Sequence, residues 1–126
     1  MPRPRVFKGR AVSIVNPKAR AWKGAVLAAA EQKAAACGWT PSHRPLRLEL
    51  IFTYQRPKKH FDSKGLVKEN YHSAHMVGRP DIDNLAKMIM DAVNGVLFVD
   101  DSQVVYLSAT KQYASEDGVH LTLTEL

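Results

Sequence analysis

The stretch from Asp83 to Val93 constrains the fold more than any other part of this chain. Leu85, Met88, Ile89 and Ala92 stand at i, i+3, i+4 and i+7, the spacing that gathers side chains on one face of an α-helix. Asn94-Gly95 supplies the stop. At roughly 100° per residue, Asp83, Lys87 and Asp91 fall at about 0°, 40° and 80°, and the apolar set centres near ~190°. The apolar side needs a second layer to cover it. The opposite side presents two carboxylates and a lysine.

Other segments supply that layer. Pro45 opens the run Leu46 to Tyr54, in which Leu46, Leu48, Leu50 and Phe52 alternate with Arg47, Glu49, Ile51 and Thr53. That alternation predicts a strand with one buried face. From about Lys18 an alanine-rich run predicts another helix, with Trp22, Ala25, Val26 and Ala29 at helical spacing and Gly38 as its end. A short strand is expected from Arg10 to Val15, ended by Asn16-Pro17. Gln103 to Tyr113 and Val119 to Leu126 read as a hairpin whose loop, Ala114 to Gly118, ends in Asp-Gly. The expected fold is α+β: a small mixed sheet with two main helices packed on it, as one domain over residues 1–126.

Two segments carry no period. Residues 1–10 hold Pro2 and Pro4, which disfavour helix, and read as an extended basic arm. Residues 55–79 hold Pro57, Gly65, Gly78 and the histidines His60, His72 and His75. They read as a long, mobile basic loop with exposed histidines; loops of such length in a small domain are commonly functional.

Composition excludes several classes. The chain has 126 residues and one cysteine, Cys37, so an intrachain disulfide and a Cys-rich zinc site are ruled out. No apolar run approaches a membrane span, and no secretory signal is visible, so no membrane partner and a cytoplasmic location are expected. The net charge is +6, which leans towards a polyanionic partner. Its distribution says more. Residues 1–23 carry seven basic groups and no acid. Arg56, Lys58, Lys59, Lys64, Lys68 and Arg79 follow in the second basic segment, against Asp62 and Glu69. From Asp81 to Asp101 the sign reverses: five of the chain's twelve acids stand there with one base, Lys87.

Clustered carboxylates repel one another and call for a cation. Asp81 and Asp83 flank one residue just before the helix, and in extended backbone such a pair points the same way. Helix capping is the plainer role for either. Asp100-Asp101 follows one helix and a short turn later, so the chain can return beside its start. Three or four acids around one point suit a hard divalent ion. Lys87, one turn into the helix, can meet a phosphate, or can simply pair with Asp83 or Asp91.

The segment holding Asp81, Asp83, Asn84, Leu85, Lys87, Asp91, Ala92, Asp100, Asp101, Gln103, Val104 and Val105 resembles the RusA family of Holliday-junction resolvases. The resemblance continues to Lys111 and to the closing stretch Leu121 to Glu125. It is looser upstream, through Arg3 to Arg5, a Trp-containing helix and an apolar strand. The family would place a strand ahead of Arg3, and its loop is shorter than residues 55–79. The resemblance implies a Mg²⁺-dependent endonuclease (Mn²⁺ as a substitute, no organic cofactor) that cuts four-way branched DNA as a homodimer. Such proteins serve recombination and repair and are often encoded by prophages. By the same resemblance Asp81, Asp83 and Asp101 hold the metal with Asp100 as a lesser neighbour. Lys87 is then the site lysine, and Asp91 is structural. Arg3, Arg5, Arg10, Lys58, Lys59, Arg79 and Lys111 are the candidate DNA contacts. A non-cleaving junction-binding protein of the same fold is the alternative. A metal enzyme acting on nucleotide-sugars is a further one, although such enzymes need a larger nucleotide-binding domain.

Overall fold

The computed structural model describes residues 3–12 and 19–126. Its regular elements are β1 (Val6–Val12), α1 (Ala19–Cys37), β2 (Leu46–Gln55), α2 (Ile82–Val93), β3 (Val104–Ala114) and β4 (Gly118–Glu125). The strands form one mixed sheet in the order β1-β4-β2-β3. The start expected for the first helix at Lys18 and the end expected for the first strand, Ser13 to Val15, lie outside the described residues.

Strand β2 forms as its alternation predicts. Leu46, Leu48, Leu50 and Phe52 are buried, and Arg47, Glu49 and Ile51 are exposed on the other face. Its neighbour β4 runs antiparallel and aligns Leu123, Leu121 and Val119 with Leu48, Leu50 and Phe52. On the far side of β4, Phe7 of β1 stands opposite Leu123. These side chains make one core with Trp22, Val26, Ala30 and Ala34 of α1 and Leu85, Ala86, Ile89, Ala92 and Val93 of α2. Each fully buried Leu, Ile or Phe contributes about 1.5–3 kcal/mol. In α1 the buried line runs Trp22, Val26, Ala30, Ala34, while Ala25 and Ala29 are half-buried. Gly38 closes the helix at φ 68°, a left-handed conformation that costs glycine little.

The expected hairpin is not formed. Both strands exist at the expected places, but β3 pairs with β2 in parallel and β4 lies on the other side of β2. Burial explains the order. Strand β4 carries Val119, Leu121, Leu123 and Glu125 buried, which suits a central strand. Strand β3 is exposed along much of its length, which suits an edge. The loop between them steps across the end of β2, where Asp117 Oδ1 accepts the Gln55 amide at 2.8 Å. The parallel β2–β3 pair requires a crossover, and α2 lies within it.

Two further expectations are corrected. The basic arm ends at Arg5, because Val6 to Arg10 already belong to β1. His60 is only 3% exposed, not solvated. Its ring stacks on Tyr71 at 4.1 Å between centroids and meets Tyr113 of β3 edge-on at 5.0 Å. Single helical turns at Lys58–His60 and Glu69–Tyr71 and a bridge between Phe61 and Val67 give this segment internal structure.

Candidate active site

Helix α2 presents Asp83, Lys87 and Asp91 on its exposed side because Leu85, Ile89 and Ala92 claim the other side for the core. The chain then turns back. Gly95 adopts φ 84°, and its amide donates to the Phe98 carbonyl at 2.8 Å. Leu97 and Phe98 are fully buried and hold the turn against Ser42, whose amide donates to the Leu97 carbonyl at 3.0 Å.

Asp100 and Asp101 follow. Gln103 secures them: its Nε2 donates to the carbonyls of Ser42 (2.8 Å) and Arg44 (2.9 Å), and its Oε1 accepts the Asp100 amide at 2.8 Å. The glutamine of the D-D-x-Q segment is thus an anchor for the two aspartates. Asp83, Lys87, Asp91 and Asp101 line one open groove of about 290 Å³, together with Met90 and Leu107.

The four acids expected around one point divide between settings. Asp83 and Asp101 share the groove. Asp81 caps α2 through its carbonyl, which accepts the Leu85 amide at 3.1 Å, and its carboxylate makes no capping hydrogen bond. Asp100 is engaged locally, its Oδ2 accepting the Ser102 hydroxyl at 2.7 Å. That bond first, and then hydrogen bonding with Asp101 and the Ser102 amide, holds the Asp100 carboxyl below the usual carboxylate range. Among the described residues no three acid, histidine or cysteine side chains stand together as a ready metal cluster. The donor chemistry still fits a hard cation: carboxylates of exposed Asp83 and Asp91 and half-buried Asp101 line an open groove that holds no cysteine or histidine. Asp91, read from the sequence as structural, also lines the groove. Its helical angle to Asp83, about 80°, was the signal for that.

The candidate DNA contacts also separate. Arg3, Lys58, Lys59 and Arg79 are exposed. Arg5 is held inside the fold. Its guanidinium bonds Glu125 at 2.9 Å and 3.1 Å, reaches the Thr40 hydroxyl and carbonyl, and lies 4.1 Å over the Trp39 ring. Arg10 pairs with Glu116. Lys111 donates to the carbonyls of Gly78 (2.7 Å) and Pro80 (3.0 Å).

Comparison with known proteins agrees with this architecture. The family model for endodeoxyribonuclease RusA matches residues 1–124. The chain belongs to the RusA endodeoxyribonuclease family. It is also 35% identical over 71 residues to the uncharacterized protein YqaN of Bacillus subtilis (strain 168). That match covers 56% of this chain and 45% of YqaN, so the chain spans under half the length of that relative. Among the described residues no helix is long and apolar enough to cross a membrane.

Proposed function

We propose that this chain is a Mg²⁺-dependent endodeoxyribonuclease that resolves four-way DNA junctions as a homodimer. The observation that carries the reading is the groove in which Asp83, Asp101 and Lys87 meet, in a chain of the RusA family. Asp83 and Asp101, with Asp81 at the helix start, are the residues that would hold the ion. The chemistry such an ion supplies when bound is polarisation of the scissile phosphate and activation of a water. Lys87 contributes positive charge where the phosphate gains negative charge in the transition state. Exposed Arg3, Lys58, Lys59 and Arg79 offset the repulsion between carboxylates and DNA. A two-fold dimer presents two grooves, which suits paired symmetric cuts.

The test is incubation with a mobile four-way junction, with and without Mg²⁺, read on a denaturing gel beside duplex of equal length. The expected result is paired Mg²⁺-dependent nicks in the junction, absent from Asp83→Asn, with metal-free junction binding retained. Equal activity in wild type and Asp83→Asn, or no preference for the junction at low salt, would overturn the reading.

A further inference from the structure

We propose that Lys111 is a positioning residue for the metal-binding carboxylates, acting on Asp81 through the backbone, and not a DNA contact. This rests on the nuclease reading above. Lys111 lies in the C-terminal half of edge strand β3, in register with buried Phe52 of β2, so its stem sits on the helix-covered side of the sheet. Its ammonium crosses to the end of the 56–80 segment and donates to two carbonyls, Gly78 at 2.7 Å and Pro80 at 3.0 Å. The Pro80 carbonyl belongs to the peptide unit that joins Asp81. Holding that oxygen fixes the plane from which the Asp81 side chain departs. Asp81 is also the residue whose carbonyl begins α2.

The rest of β3 makes the same connection. Leu107, four residues before Lys111, lines the groove of Asp83 and Asp101. Tyr113, two residues after it, meets the His60 ring that pins the start of the loop. One strand therefore sets one groove wall and holds the loop at its start and again just ahead of Asp81. An ammonium already committed to two carbonyls would have to leave them to reach a phosphate. A DNA contact would therefore release the very segment that delivers Asp81.

The experiment compares wild type, Lys111→Met, Lys111→Arg and Lys111→Gln in three measurements. These are half-saturating Mg²⁺ for junction cleavage, metal-free junction affinity as a function of salt, and hydrogen exchange at the amides of residues 79–85. Loss of a group that orients a metal ligand from outside typically costs about 10–100-fold in metal affinity or activity. Lys111→Met should raise half-saturating Mg²⁺ by about tenfold or more. Its metal-free junction affinity and salt dependence should match wild type, and exchange at 79–85 should be faster. Lys111→Arg keeps donors for both carbonyls and should recover most of the metal response. The opposite pattern overturns the proposal: weaker metal-free binding, a salt slope reduced by about one, and an unchanged Mg²⁺ response. If Lys111→Met does not fold, Lys111→Gln carries the same comparison. If wild type cuts no junction, the nuclease reading fails, while Mn²⁺ binding and the exchange measurement still decide the role of Lys111. Unchanged exchange at 79–85 in a folded Lys111→Met or Lys111→Gln protein would sink it independently.

Discussion

Glu125 is 4% exposed and carries a charge, so the fold has to balance that charge internally. The Arg5 amide and guanidinium and the Ser42 hydroxyl all donate to it. The Arg5 guanidinium above all, with the Ser42 hydroxyl, pulls its carboxyl down to about 2 from the usual 4.5. The folded protein therefore binds this proton less readily than the unfolded chain. The resulting stabilisation is full above pH 4.5 and disappears as pH falls towards about 2. Arg5 is about a third exposed, which screens the pair, so the contribution is on the order of 2 kcal/mol. Acid unfolding of Glu125→Gln should show a shallower stability loss across that window. At neutral pH the variant should be less stable by about 1–3 kcal/mol in urea titration, since Arg5 and Ser42 lose an ionised acceptor. The sequence marked Arg5 as a DNA contact because a basic residue near the terminus gives no local sign of a partner 120 positions away.

At the scale of elements, short-range periodicity was a reliable guide. Strand β2 and helix α2 fall within a residue or so of where their patterns place them, because burial on one face acts on neighbours in sequence. Ile89, fully buried beneath the exposed acidic side of α2, is the position to test that coupling. Ile89→Ala should cost about 2–5 kcal/mol, measured by chemical unfolding. Pairing order was not legible in the same way. The Asp-Gly at residues 117–118 suggests adjacent strands, yet the loop spans β2, because the core needs Leu123 between Phe7 and Leu48 and Leu121 beside Leu50. His60 escaped the sequence reading for a similar reason: its ring partner Tyr113 lies on a distant strand. Burial first, then Arg56 and Lys59, lowers its pKa. Protonation therefore opposes the docked loop, whose stack with Tyr71 and Tyr113 should weaken as pH falls below about 6.5. A loss of protection against hydrogen exchange at residues 58–72 on acidification, measured relative to the intrinsic rate at each pH and absent from His60→Phe, is the expected result.

For the whole molecule, opposed charges have been sorted by the fold. Arg3, Lys58, Lys59 and Arg79 are exposed, and so is Arg10, which pairs with Glu116 at the surface, whereas Arg5 and Lys111 are committed to contacts within the fold. The net charge of +6 therefore does not tell which cations can meet DNA; the fold does. The salt dependence of junction binding should be set by the first group: Lys58→Ala with Lys59→Ala should lower the slope by up to about two. The candidate groove joins elements far apart in sequence, since Leu107 follows the crossover that begins after β2.

The position of β4 has a consequence for synthesis. Of the four strands, β4, the last of them in sequence, occupies the interior of the sheet, between β1 and β2. Until residues 118–125 leave the ribosome, no strand pairs with both sides of the sheet. Cooperative closure must wait for that point, because contacts distant in sequence form only once the intervening chain exists. A nascent chain halted before β4 has β1 on one side and β2 with β3 on the other, without the strand that pairs with both β1 and β2. Under the nuclease proposal, the groove of Asp83 and Asp101 would then stay unassembled until β4 is added.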